Sequence, residues 1–258
     1  MLNGLPAKID SQLGLRRRIL RSQWTWLCAA GVVVYVVLAV LIYREISHNV
    51  ILEVEAVTEK MGSPVQISLA QVNEALGICV RYALPTLAVY FLIFLLVDRL
   101  RPTTWLMKVM SLGWGAAVAV FISLYANSWV VQRINVTGPV DPTTSAAAAI
   151  FVAPFVEEAS KATILFVLAI LVRYRIATVL QSVTLAGLSA IGFAFTENIT
   201  YYLRAYVYAG NISGQAPMDV LRQMAFTRGV LTSFGHPLFT SLTAIGMAVA
   251  LTNRSKLV

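Results

Sequence analysis

Residues 24–43 read WTWLCAAGVVVYVVLAVLIY, twenty positions without a single charge. At 1.5 Å per residue a helix of that length covers about 30 Å, the hydrocarbon thickness of a bilayer. Comparable apolar runs follow at 78–97, 105–126, 145–172, 176–203 and 230–252. Together they predict an all-α fold, a polytopic transmembrane helical bundle of about six spans. Arg81 and Lys108 fall near the ends of their runs, where long side chains snorkel to the interface. Trp24, Trp26, Trp105 and Trp129 also lie near predicted ends, as aromatic belts do.

Composition agrees. Of 258 residues, 58% are hydrophobic and only 12% are charged, whereas a soluble domain is nearer one quarter charged. Six spans with short links use most of the length, so no separate soluble domain is expected. The organisation expected is a basic cytoplasmic segment (1–23), three N-terminal spans with an acidic outer loop (24–144), a three-span core (145–252) and a cytoplasmic tail (253–258). The net charge of +8 sets topology and meets anionic lipid heads in so apolar a chain; the bilayer, not nucleic acid, is the expected partner. Cys28 and Cys79 have no neighbouring histidine or cysteine in sequence, so neither a disulfide framework nor a zinc knuckle is expected. The first apolar run is too long for a signal-peptide core and lacks a small-x-small cleavage site, so it reads as a retained span.

Basic residues orient the bundle. With the N-terminus inside, the cytoplasmic side receives twelve Lys and Arg and the outer side seven, Lys161 lying within a span. N-in, C-in is the expectation. The largest outer segment, 44–77, carries Glu45, Glu53, Glu55, Glu59 and Glu74. It reads as a solvated loop in preference to a partly helical cap.

Nine of the twelve acidic residues fall in tails, loops or span edges; Glu157, Glu158 and Glu197 lie inside the fourth and fifth spans, and His236 opens the sixth. An ionisable group at bilayer depth costs roughly 2.5–3.5 kcal/mol on insertion scales. Four such groups should therefore face one another across a protein-lined, water-reachable cavity. Glu157 and His236 each sit sixteen residues from the cytoplasmic end of their run, about 24 Å along a helix, and Glu197 lies at about 26 Å. Glu157 and Lys161 are four residues apart and Glu158 and Lys161 three, so both pairs can meet. Adjacent glutamates diverge by about 100°, which gives them different tasks. Phe193, Glu197 and Tyr201 share a helix face, with Arg204 one turn further, while Gly187, Ser189, Gly192 and Ala194 permit close helix approach. Singly, each feature has a plainer reading: a buried ion pair setting helix register, a Glu197–Arg204 cap, an interfacial histidine. Three successive spans with matching depths favour a functional cavity.

The segment Phe155-Val-Glu-Glu-Ala-Ser-Lys161 resembles the EExxK motif of the PrsW family of intramembrane proteases, related to the CAAX prenyl protease superfamily. Phe193-Ala-Phe-Thr-Glu197-Asn198 resembles that family's FxxxE motif with its following Asn. Arg228 through Ser233-Phe-Gly-His236 resembles its third block, an Arg ahead of a single His. CAAX prenyl proteases carry EExxxR and a His where Glu197 stands, so the chain sides with PrsW. These motifs span about residues 150–250; the first hundred residues agree in hydropathy only. The resemblance implies a protease of the bacterial plasma membrane, acting in regulated signalling on membrane-embedded protein substrates such as an anti-sigma factor, cut near the outer face. It implies Glu157, Glu158, Glu197 and His236 as catalytic residues, supported by Lys161, Phe193, Asn198, Arg228 and Thr240. Thr240 stands one turn after the histidine, where relatives carry Asn or Asp, and is a weaker oxyanion donor.

Peptide hydrolysis needs a water, a base and donors for the oxyanion. A serine dyad would have only His236 as base and lacks a GxSG nucleophile; HExxH is absent, and no aspartate lies within a predicted span. Carboxylate-activated water remains. Glu157 is then the general base, Glu197 helps hold the water and share its proton, and Glu158 and Lys161 support them. His236 stabilises the oxyanion or protonates the leaving amine. Clustered carboxylates in low dielectric share protons instead of all ionising. Glu158, Glu197 and His236 also make a zinc set with an open fourth position, so metal-free chemistry is the expectation and zinc the alternative. A proton-coupled carrier would also use intramembrane Glu and His, yet the ionisable residues crowd one half with no inverted repeat. A non-catalytic relative binding membrane helices in the same cleft is the remaining alternative.

Overall fold

Backbone groups in lipid must be satisfied within the segment, which forces long apolar runs into helix. The computed structural model describes residues 23–135, 153–172 and 178–252, and among them there is helix and no strand. The basic segment 1–22, residues 145–152 of the expected fourth span, Asp141, Arg173, Arg175 and the tail 253–258 lie outside the described residues. In chain order come α1 (Gln23–Lys60), α2 (Leu69–Asp98) and α3 (Trp105–Gly113). A π-helical stretch (Trp114–Ala119) joins α3 to α4 (Val120–Asn135). Then follow α5 (Ala153–Val172), α6 (Val179–Tyr208) with a π turn (Ala209–Ser213), α7 (Pro217–Phe226), a second π turn (Thr227–Leu231) and α8 (Gly235–Thr252).

Among the described residues, four stretches are long and apolar enough to cross a membrane: Thr25–Lys60, Leu69–Asp98, Trp105–Val130 and Val179–Ser213. The expected fourth and sixth spans fall outside that set. The 20 described residues of α5 include Glu157, Glu158 and Lys161, and the 18 of α8 begin at the Gly235–His236 step.

The acidic segment is not a loop. α1 runs 38 residues, about 57 Å, so its distal half projects well beyond a bilayer core. Ile42, Ile46, Val50, Val54 and Thr58 recur every fourth residue and are all buried, a stripe that continues the helix while the glutamates occupy its other faces. Val65 N donates to Thr58 Oγ1 at 3.0 Å, closing the turn, and Ser68 with Gln71 forms a capping box at the start of α2. This helical hairpin caps α6 and α7 through a core that includes Val50, Val54, Val72, Leu203, Val207 and Leu221. Arg204 and Tyr208 of α6 both donate to Glu53, at 2.8 and 2.6 Å.

Lys108 also departs from expectation. It is buried and pairs with Asp98 at 2.5 Å, while Thr103 donates twice to the same carboxylate. The pair neutralises two charges that the α2–α3 turn would otherwise strand at the membrane edge.

α6 is the central element, with a continuous buried stretch from Thr184 to Ala194. It packs against α2, α3, the adjoining π stretch, α5, α7 and α8. The small residues make this possible. A Cβ on Gly115 would overlap the Ser189 carbonyl oxygen, and one on Gly192 would overlap that of Leu112. Gly187 holds the Phe94 ring in the same way. Because the obstacle at Gly115 is backbone, Gly115→Val should lower thermal stability in detergent by at least about 2 kcal/mol. Gly77→Ala, with open space around it, should melt like the parent.

Candidate active site

α5, α6, the turn after α7 and the first turns of α8 each deliver part of one cluster. On α5 the local spacing acts as the sequence suggests: Lys161 Nζ lies 2.8 Å from Glu158 Oε1 and 3.7 Å from Glu157 Oε2. The Lys161 side chain has no exposed surface. Its ammonium also meets His236 Nδ1 at 2.7 Å and stands 4.0 Å from the centre of the Phe193 ring. An ammonium has no lone pair, so Nδ1 accepts and the imidazole proton sits on Nε2. From there it donates to Glu197 Oε2 at 3.0 Å. The same oxygen receives Arg228 at 2.6 Å, and Arg228 Nε donates to Asn198 Oδ1 at 3.0 Å.

Glu197 therefore pairs with Arg228, and Arg204 is drawn away to Glu53. Tyr201, on the Glu197 face, lies flat under the Arg228 guanidinium at 3.7 Å. Thr240 is fully buried; its hydroxyl reaches Glu158 Oε2 at 2.6 Å and the His236 carbonyl at 2.9 Å. It orients Glu158 from behind and does not line the cavity described next.

That cavity has a volume of about 900 Å³ and opens between α5 and α8. Glu157, Glu158, Glu197, Arg228 and His236 form its polar wall, and Phe155, Phe239 and Leu242 are among its apolar residues. Glu157 differs from its neighbours. Among the described residues its carboxylate has only Lys161, at 3.7 Å, as a charged partner, whereas Glu158 and Glu197 each hold two or more close donors.

Several contacts outside the motifs hold the cluster in place. Trp114, in the π stretch, donates its indole N–H toward Ser160 O and Thr163 Oγ1 on α5. Ser189 Oγ donates to the Lys161 carbonyl at 3.0 Å, and Thr196 Oγ1 to Ala116 O at 2.8 Å. On α2, Thr86 donates to Gly229 O at 3.1 Å and Tyr90 meets Ser233 Oγ at 2.9 Å, pinning the turn that carries Arg228. Sequence reasoning overlooked Thr86, Tyr90 and Trp114. The signal was available in Thr86 and Tyr90, four apart on one face of an otherwise apolar run.

As a zinc set, Glu158, Glu197 and His236 do not fit as arranged. Both imidazole nitrogens are engaged, one by the Lys161 ammonium and one by Glu197. Each carboxylate is already paired with a cation, Lys161 or Arg228. A metal would have to displace both cations, and a zinc-bound histidine normally turns its other nitrogen to an acceptor, not an ammonium. Among the described residues no three His, Cys, Asp or Glu side chains converge as ligands.

Residues 102–258 match the family described as PrsW family intramembrane metalloprotease. No curated protein and no solved structure matches the chain. The matched region covers more than half of the chain and begins at the α2–α3 turn, so it takes in α3 and α4 as well as the three motif-bearing segments. With apolar helices crossing the bilayer and the motif residues gathered on one cavity, the chain is a multi-pass membrane peptidase and belongs to the PrsW family of intramembrane proteases.

Proposed function

We propose that the chain is a glutamic-type endopeptidase that cuts single-pass membrane protein substrates near the outer face of a bacterial plasma membrane, with both of its own termini inside. By resemblance, the substrate is of the anti-sigma-factor kind. One observation carries this reading: Glu157, the least engaged carboxylate of the cluster, faces a cavity whose mouth is apolar and whose wall is ionic. The apolar residues receive a substrate helix end unwound into extended backbone, and the ionic wall receives the scissile bond.

Glu157 takes one proton from a water as the water oxygen bonds to the carbonyl carbon. The resulting oxyanion is stabilised by Arg228, which has given two of its five N–H donors to Asn198 and Glu197. The carbon–nitrogen bond then breaks and Glu157 returns its proton to the departing amine. Glu197, fixed by Arg228 and His236, holds the attacking water opposite Glu157. Lys161, Glu158 and Thr240 keep His236 and Glu157 in register. No step passes through a metal, because the donor set as arranged does not accommodate one.

Purified protein in proteoliposomes separates the readings. With a single-pass substrate embedded in the same vesicles, cleavage should survive chelation, and metal analysis should find no stoichiometric zinc. Turnover that rises and falls with bound zinc would overturn the glutamic assignment. A proton flux without cleavage, lost in Glu197→Gln, would replace the protease with a carrier.

A further inference from the structure

A second, smaller cavity of about 190 Å³ meets the same carboxylates from another side. Glu157 and Glu197 line both cavities. The second runs along α6 past Phe193, Thr200 and Tyr201 to Arg204, with Ser123 and Asn127 of α4 on the facing wall. Arg204 lies seven residues beyond Glu197, about 10 Å along the helix, and its side chain is 42% exposed. The cavity thus leads from solvent beneath the α1–α2 cap to the reacting carboxylates.

Two further facts point to what fills it. Ser123 is buried, 3% exposed, yet its Oγ has no hydrogen-bond partner among the described residues. Arg204 Nε is likewise buried and unpartnered, though the Arg204 terminus is held by Glu53. A buried hydroxyl and a guanidinium N–H without partners are rare and costly unless water serves them. A volume of about 190 Å³ leaves room for several waters. Its lining is mostly polar or ionic, with Ser123, Asn127, Glu157, Glu197, Thr200 and Arg204. The first cavity, several times larger and flanked by Phe155, Phe239 and Leu242, is the substrate's.

We propose that the second cavity is the path by which the hydrolytic water reaches Glu157 and Glu197, entering on the cap side and separate from substrate entry. Ser123, Asn127 and Thr200 are its positioning residues. The inference rests on the hydrolytic reading above. It explains how a base at bilayer depth stays supplied while a substrate occupies the lipid-facing cavity.

The test uses the full chain in membranes, with Asn127→Cys and Thr200→Cys on opposite walls. A membrane-impermeant, quaternary-ammonium thiosulfonate is added from either face, and Glu59→Cys in the exposed cap marks the cap side. The parent, retaining Cys28 and the buried Cys79, supplies the background. Both wall positions should label from the same face as Glu59→Cys. For each variant, kcat after modification should fall at least about tenfold from its own value before modification, with KM for the single-pass substrate unchanged. No labelling from either face overturns the path, as does labelling that leaves kcat intact. A rise in KM with kcat unchanged would make the cavity a substrate subsite instead. If the parent itself cleaves no substrate, the hydrolytic reading fails separately, and labelling alone still decides whether the cavity is open.

Discussion

Lys161→Met should abolish cleavage and lower the melting temperature in the same variant. Lys161 touches α5, α6 and α8 at once: Glu158 at 2.8 Å, His236 Nδ1 at 2.7 Å and the Phe193 ring at 4.0 Å. Methionine fills the stem's volume but leaves two glutamates and an imidazole facing one another without a counter-charge. Removing one partner of a fully buried pair costs roughly 3–5 kcal/mol. Here Glu157 and Glu158 keep 18% and 23% of their side-chain surface, and they can take up protons, so the lower end of that range is expected. Lys161→Met with Glu158→Gln should recover much of the stability, since it removes a stranded charge, while cleavage stays lost. A Lys161→Met variant that melts and cleaves like the parent would show that the cluster is organised by something else.

The bundle was legible because its evidence is local. Residues 24–43 have nothing to pair with but their own backbone, and any environment that accepts them forces helix. Gly187 and Gly192 announced close helix crossings, and both have backbone or ring against them. What was missed depends on partners far away in sequence. The stripe Ile42, Ile46, Val50, Val54 lies on α1, whose four glutamates suggested solvent, and only its burial against Leu203 and Val207 shows the cap to be structural. Asp98 and Lys108 each look like an interfacial charge, and the turn between them turns two liabilities into one pair.

For the site, residue identity outran geometry. The spacing of Glu157, Glu158 and Lys161 determines that the three meet, and helix depth placed Glu197 and His236 beside them. Which partner each side chain takes was not accessible that way. Arg204 is one turn from the Glu197 face by sequence, yet it turns to Glu53, and Arg228, from a π turn 31 residues beyond Glu197, takes its place. π turns are hard to foresee because one extra residue per turn re-aims every side chain after it. Thr240 drew notice for its position one turn after His236, as a weak donor; it is buried and its hydroxyl reaches Glu158.

Glutamic-type hydrolysis in this cavity depends above all on Glu157 as the base that activates water. Glutamine keeps the shape of glutamate but cannot take a proton. Because the one ion pair of Glu157 among the described residues is a loose one of 3.7 Å, Glu157→Gln should accumulate and melt like the parent. Glu158→Gln and Glu197→Gln, which lose several short bonds, should be less stable as well as inactive. The direct measurement is cleavage of a panel of co-expressed single-pass substrates by Glu157→Gln beside the parent at matched protein levels. The expected loss is at least about a hundredfold, the lower range of a general-base contribution. Cleavage at the parental rate would contradict it.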